Sequence, residues 1–234
     1  MDQTIAKNPT LTTFGWVPEF ARGFVRDIRP RWAFEEVGQA YDVEFVTDSK
    51  SPDYRRHQPF GQVPIYRDDE VELFESAAIV LRIAERAGKL VPTDPAARSR
   101  AIQWLVAALN SVEPYAMAVV ANNVFEADQP WSADRKPKVA ADLQARLADL
   151  DTALGDKQWL DGDDFTVGDL MMIAVLIGLR GTRTMAAFPR LDAYLERGET
   201  RPAYVKAMAD HLATFKDAGP TPPVPLTQPQ GELA

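Results

Sequence analysis

Gln58-Pro59-Phe60-Gly61-Gln62-Val63-Pro64-Ile65-Tyr66, continuing through Arg67-Asp68-Asp69-Glu70 into Val71 to Ala87, is the stretch on which the fold reading turns. Ile65 and Tyr66 are strand formers, and Asp68-Asp69 supplies turn residues. Val71 to Phe74 reads as a second short strand, and Glu75-Ser76 opens a helix that carries Ile79, Leu81 and Ile83. The pattern is a β-hairpin feeding a helix. Pro64 cannot occupy an interior ladder position, so it belongs at a strand start or bend. A cis Val63–Pro64 bond is one way to meet that demand.

Upstream, Thr10-Leu11-Thr12-Thr13-Phe14 alternates as a first strand, a helix falls between Arg22 and Gly38, and Tyr41 to Val46 alternates as a second strand. Gly38 is placed as that helix's stop. The order is therefore β-α-β followed by β-β-α. Gly88 closes the hairpin's helix, and Leu90 to Asp94 reads as a linker. Beyond it the chain turns helical. Asp94-Pro95 reads as N-cap and first-turn proline, and Ile102, Leu105, Val106 and Leu109 share a face until Pro114 interrupts it. Tyr115 to Phe125 continues the helix, and Trp131 to Pro137 reads as a break. Val139, Leu143, Leu147, Leu150 and Leu154 then form a stripe ended by Gly155. Thr166 and Asp169 have capping-box spacing, with Phe165 placed to staple against Leu170, ahead of an all-apolar, hence buried, helix over Leu170 to Leu179. Phe188 to Leu195 is a further helix, and Arg201-Pro202 starts the last one, running to about Phe215. Ala218 to Ala234, with five prolines, reads as an extended tail, and Met1 to Pro9 as a loose lead.

Composition narrows the function classes. Residues 1–90 carry 12 Lys/Arg against 15 Asp/Glu and residues 91–234 carry 14 against 19, so neither part is a basic nucleic-acid surface. With no cysteine, this chain holds no disulfide, thiolate metal ligand or cysteine nucleophile. His57 and His211 lie far apart, which argues against a metal cluster or a serine-histidine triad. The first thirty residues show no charged segment leading into an apolar run, and no apolar stretch approaches ~20 residues. The expectation is a soluble cytoplasmic protein with no membrane partner.

Phe60-Gly61-Gln62-Val63-Pro64, followed by Phe74-Glu75-Ser76 and an apolar helix, resembles the glutathione-binding half of the glutathione S-transferase superfamily. The resemblance spans residues 10 to 215 and implies an α/β thioredoxin-like domain over 10–88, an all-α domain over 95–216 and the tail over 218–234. It further implies that glutathione, as co-substrate, is held by Gln62, Val63, Pro64, Glu75 and Ser76. Val63 would pair with the cysteinyl backbone, Glu75 with the γ-glutamyl ammonium, and Ser76 with the carboxylate at a helix N-terminus. Read alone, Glu75 and Ser76 are also ordinary capping residues. Lys50 or Arg55 can reach a ligand carboxylate, or simply be solvated.

In the family a Tyr, Ser or Cys after the first strand activates the glutathione sulfur, yet Met1 to Ala40 contains none of the three. A thiol near pKa ~8.5 needs a donor or cation beside it to ionise at neutral pH. The alternatives are the hydroxyls of Thr12 or Thr13, the indole of Trp16, and the guanidinium groups of Arg22, Arg26 and Arg29, each of which also has a plain packing or surface reading. Met117, Val120 and Phe125 are either pocket lining or core. The expected function is conjugation of the glutathione thiolate to a small apolar electrophile by a homodimer without metal. The alternatives are a non-catalytic glutathione-binding or interaction module, or a glutathione-dependent peroxidase.

Overall fold

The structure is a computed structural model that describes residues 8–180 and 182–215. Most of the lead and all of the tail lie outside the described residues. The chain begins with strand β1 (Thr10–Phe14), helix α1 (Ile28–Val37) and strand β2 (Asp42–Val46). The hairpin β3 (Ile65–Arg67) and β4 (Glu72–Phe74) then leads into α2 (Ser76–Ala87). The sheet order is β2-β1-β3-β4. β1 pairs parallel with β2, Leu11 opposite Val43, and antiparallel with β3, Leu11 opposite Tyr66. The mixed sheet and the βαβ-ββα order give the thioredoxin-like layer expected.

Each turn has a local cause. Asp68 accepts the N–H groups of Glu70 and Val71 at 2.9 and 2.8 Å, closing the hairpin as an Asx turn. Gly38 and Gly88 end α1 and α2 in the left-handed conformation that glycine adopts without a Cβ penalty. α1 falls within the Arg22–Gly38 bounds of the sequence reading, and Asp27 at its N-cap makes no capping hydrogen bond with its side chain. Its carboxylate is buried instead against Arg31 Nε at 2.6 Å and His211 Nδ1 at 3.3 Å.

The helical part comprises α3 (Pro95–Ala107), α4 (Glu113–Val120), α5 (Ser132–Leu154), α6 (Val167–Leu176), α7 (Arg183–Ala186), α8 (Pro189–Glu199) and α9 (Pro202–Ala213). Asp94 caps α3 by accepting Ala97 N–H at 2.8 Å. α3 and α4 run as one rod through a π-helical turn, Ala108–Val112. Pro114 has no N–H to give to the carbonyl of Asn110 four residues back, and a wider turn absorbs the missing bond without breaking the helix. A second π-helical segment, Ala121–Phe125, ends the rod.

Three expectations are corrected. The break over Trp131 to Pro137 is not one, since α5 begins at Ser132 and takes Pro137 inside it. Val106 is 46% exposed, because α3 meets α6 through Ala101 and Leu105. The rod Pro95–Phe125 is long and apolar enough, by length and composition, to cross a membrane, against the reading that no apolar stretch nears that length.

α6 sits centrally, buried on every side and started by the Thr166/Asp169 capping box. The layers are locked together by α1: Arg201 makes a bidentate pair with Glu36 at 2.6 and 2.7 Å, and Trp32 donates to the same carboxylate at 2.9 Å. Leu90 C=O accepts Val167 N–H at 2.9 Å, so the linker is fastened to the start of α6.

Candidate active site at the domain junction

The loop that enters β3 is pinned along its length. Gly61 has φ +61°, and a Cβ there would come within 2.7 Å of Ser49 O, so a side chain is excluded by both conformation and space. Lys50 Nζ donates to Gly61 O at 2.8 Å, and Tyr54 Oη to Gln62 O at 2.7 Å. Gln58 Oε1 accepts Gln62 N–H at 3.0 Å, while Ile65 N–H donates to Thr12 Oγ1 at 2.7 Å. The Val63–Pro64 bond is cis. The N–H and C=O of Val63 carry no hydrogen bond among the described residues. Lys50 is thus a clamp for the loop, and Arg55 lies exposed on a short 3₁₀ turn.

Across from this loop, Glu75 stands at φ +72°, ψ 112°, a conformation that costs a non-glycine residue about 1–3 kcal/mol and that concentrates at functional positions. Glu75 makes no capping hydrogen bond, which removes the capping reading for its side chain. The Ser76 hydroxyl oxygen instead accepts from Arg29 Nη1 at 3.1 Å, leaving the Ser76 O–H to be given elsewhere. With no side chain at the cap, the first-turn N–H groups of α2 are available to an anion.

Gln62, Val63, Pro64, Glu75 and Ser76 line one cavity of about 270 Å³. Its remaining wall is built by Gln58, by Arg26 just ahead of α1 and Arg29 in its first turn, and by Leu109 and Asn110 in the π-helical turn with Glu113 at the start of α4. Sequence reasoning missed the last three and gave Gln58 no role. A proline inside an apolar helical run was the available signal for the turn.

One carboxylate oxygen, Glu113 Oε1, organises the cationic side: it accepts Arg29 Nη2 at 2.7 Å and Arg26 Nη2 and Nε at 3.0 and 3.3 Å. Burial works to raise the Glu113 pKa, but the charges and hydrogen bonds of Arg29 and Arg26 outweigh it and hold the carboxyl below its ordinary value. Burial pulls the Arg29 pKa down, opposed by Glu113. Arg29 therefore joins three elements: α1 carries it, α2 receives one nitrogen through Ser76, and the start of α4 receives the other.

The other sulfur-activating alternatives lie elsewhere. Thr12 and Thr13 are 2% and 0% exposed within β1, and neither lines the cavity, nor do Trp16 and Arg22. Met117 and Phe125 are exposed, 39% and 61%, with Phe125 against Phe20 at 6.2 Å between ring centroids. Val120 is half-buried, and none of the three lines the cavity. His57 pairs at the surface with Glu72 at 2.7 Å, and His211, wholly buried, accepts Gly23 N–H at Nε2; neither histidine lines the cavity.

A thioredoxin-like layer joined to a helical bundle, with a polar cavity at their junction, defines a two-domain class of protein. Residues 10–85 match the model of the glutathione S-transferase N-terminal domain, and residues 122–197 that of its C-terminal domain. The chain belongs to the glutathione S-transferase superfamily. It is 29% identical over 197 residues to glutathione S-transferase PARB of Nicotiana tabacum, covering 74% of this chain and 88% of that one. It is 25% identical over 223 residues to the tetrachloro-p-hydroquinone reductive dehalogenase of Sphingobium chlorophenolicum, covering 77% and 90%. Among solved structures, a theta class glutathione S-transferase from Xanthomonas axonopodis pv. citri, with glutathione bound, superposes with TM-score 0.73 at 26% identity over 86% of this chain and 97% of that one. A glutathione transferase family member from Pseudomonas fluorescens, with two glutathione molecules bound, gives 0.76 at 21% identity over 88% and 95%.

Proposed function

We propose that this chain is a glutathione transferase that joins the glutathione thiolate to a small apolar electrophile. The reading assigns residues 10–88 to glutathione binding, residues 95–216 to the helical domain that closes the site, and residues 218–234 to a tail. Val63 pairs through its free N–H and C=O with the cysteinyl backbone. Glu75 takes the γ-glutamyl ammonium, and the Ser76 hydroxyl with the α2 N-terminus takes the carboxylate. Gln62 and Pro64 complete the contact. The protein works as a cytoplasmic homodimer, without metal.

The observation that carries the reading is the convergence of Gln62, Val63, Pro64, Glu75 and Ser76 on one cavity beside a strained Glu75 backbone. Family membership supports it, and so do the glutathione molecules bound in the Xanthomonas and Pseudomonas structures. Retention on glutathione-agarose tests it: the full chain is retained, and Glu75→Ala with Ser76→Ala passes through while keeping the wild-type circular dichroism. Equal retention of that folded double variant overturns the assignment.

A second reading, a glutathione-holding module without thiol activation, is favoured by the absence of Ser, Tyr and Cys from residues 1–40. Turnover of chlorodinitrobenzene separates the two, since a module holds glutathione and produces no conjugate.

A further inference from the structure

A glutathione site that activates the sulfur needs a donor or cation at that sulfur, and the residue types that ordinarily serve are missing before Tyr41. Four of the six alternatives, Thr12, Thr13, Trp16 and Arg22, do not line the cavity. Tyr54 is a hydroxyl nearby in the fold, but it donates to Gln62 O at 2.7 Å and is not on the cavity wall. Two guanidinium groups are left. The Arg29 side chain is 6% exposed and its two terminal nitrogens are committed to Ser76 and Glu113. The Arg26 side chain is 38% exposed, and only its Nε and Nη2 are bound, both to Glu113 Oε1. Its Nη1 has no hydrogen-bond partner among the described residues.

We propose that Arg26 is the catalytic residue: its guanidinium, in place of a hydroxyl or thiol, faces the sulfur of bound glutathione and stabilises the thiolate, with Glu113 as the positioning residue that fixes its orientation. The inference rests on the glutathione reading of the cavity. Arg26 and Val63 line the same cavity of about 270 Å³, and among the described residues Arg26 is the cavity-lining cation with an unbound terminal nitrogen for the sulfur of a cysteinyl residue seated on Val63. Glu113 holds one edge of the guanidinium and leaves the other to the ligand, which reduces the ordering cost of each new hydrogen bond. A guanidinium stays protonated, so the thiol proton passes to bulk water and Arg26 is unchanged through the cycle. The thiolate then attacks the electrophilic carbon of an aryl or alkyl halide. The S–C bond forms as the halide leaves with the bonding pair, and no further reactant is needed.

An opposite charge at ~4–6 Å lowers an acid's pKa by about 1–3 units. The bound thiol is therefore expected to titrate at least one unit below the ~8.5 of a free thiol. The experiment combines calorimetry of glutathione binding at about pH 5.5, where a free thiol is protonated, with a pH titration of ultraviolet thiolate absorbance in the complex. In Arg26→Gln the calorimetric affinity stays within about threefold of wild type, while the thiol pKa rises by about one unit or more. Arg26→Lys, which keeps the charge and loses the fork, falls between. The rate with chlorodinitrobenzene drops about tenfold in Arg26→Gln near neutral pH and approaches wild type above about pH 9, as the thiol ionises unaided. If wild type binds glutathione and Arg26→Gln leaves the thiol pKa unmoved, the assignment to Arg26 falls and the glutathione reading stands. If Asn110→Ala raises the pKa and Arg26→Gln does not, an amide does the work and the assignment also falls. If wild type gives no binding heat with glutathione, both fall together.

Discussion

Asp169→Ala tests how the helical domain is held. The carboxylate is wholly buried and accepts four hydrogen bonds: Leu160 N–H at 2.9 Å and Tyr194 O–H at 3.0 Å on one oxygen, Thr166 N–H at 3.0 Å and its hydroxyl at 3.1 Å on the other. Alanine leaves the buried N–H groups of Leu160 and Thr166 without acceptors, each worth about 1–3 kcal/mol, and leaves the Tyr194 hydroxyl only the backbone carbonyl of residue 169 at 3.5 Å. Relief of a buried charge offsets part of this, because burial raises the Asp169 pKa beyond what its hydrogen bonds from Leu160, Thr166 and Tyr194 lower it. A net loss of about 3–5 kcal/mol follows, which in a chain of this size lowers Tm by roughly 6–20 °C. Differential scanning calorimetry reads it directly. The raised pKa also sets a sign. The folded state holds the Asp169 proton more tightly than the unfolded chain, so the carboxyl's contribution to stability shrinks as pH rises through its unfolded value near 3.8 toward the folded one. The gap between wild type and Asp169→Ala is therefore widest in acid. Asp169 does not line the cavity, so glutathione affinity of the folded variant stays at the wild-type value. A fall in Tm below about 3 °C, or a gap that widens on leaving acid, refutes this account of the capping box.

Glu113→Gln leaves Arg29 buried without its ion pair and lowers stability by about 3–5 kcal/mol, read from the urea midpoint; an unchanged midpoint removes Glu113 from the domain junction. The Glu113 and Asp27 pKa values are held below their ordinary 4.5 and 3.8, so both carboxylates stabilise the fold above those values and lose that contribution as pH falls through the folded ones. Urea midpoints against pH should therefore drop in acid, and less steeply in Glu113→Gln. Gly168→Ala places a Cβ 2.6 Å from Trp104 Cβ and 3.0 Å from Ala101 O, and destabilises by about 1–3 kcal/mol. Gly178→Ala, with nothing within 4 Å, is the neutral control in the same thermal melt. Arg201→Lys gives up the bidentate pair with Glu36 and the stacking over Phe165 at 3.9 Å. Its expected cost is about 1–2 kcal/mol, and an unaltered melting curve would count against the pair as a lock between layers.

Features that depend on near neighbours in the chain were legible before any coordinates. Alternation marked β1, the stripe from Val139 to Leu154 marked α5, with all five residues buried, and Thr166 with Asp169 marked the start of α6. Phe165, just ahead of that start, packs its ring on Trp32 and Trp159. What escaped was anything decided at long range or by a change of helical period. The Asp27 carboxylate is shared between Arg31 and a histidine 184 positions away, a contact that no local pattern signals. The five-residue π segment at Ala108–Val112 shifts the phase of every later side chain on the rod, so a 3.6-residue template carried across Pro114 misassigns faces. In the cavity, the loop and the start of α2 could be read from Val63-Pro64 and Glu75-Ser76. Arg29 could not be tied to Ser76, 47 positions on, or to Glu113, 84 positions on, because no local pattern pairs them.

That three-way tie limits how the chain can be recombined. A chimera that keeps the first ninety residues and borrows another bundle inherits a cation sealed in the interior and loses the anion that neutralises it. Such a graft must bring a carboxylate to the Glu113 position or replace Arg29 with an apolar side chain, and the second choice sacrifices the nitrogen that directs the Ser76 hydroxyl.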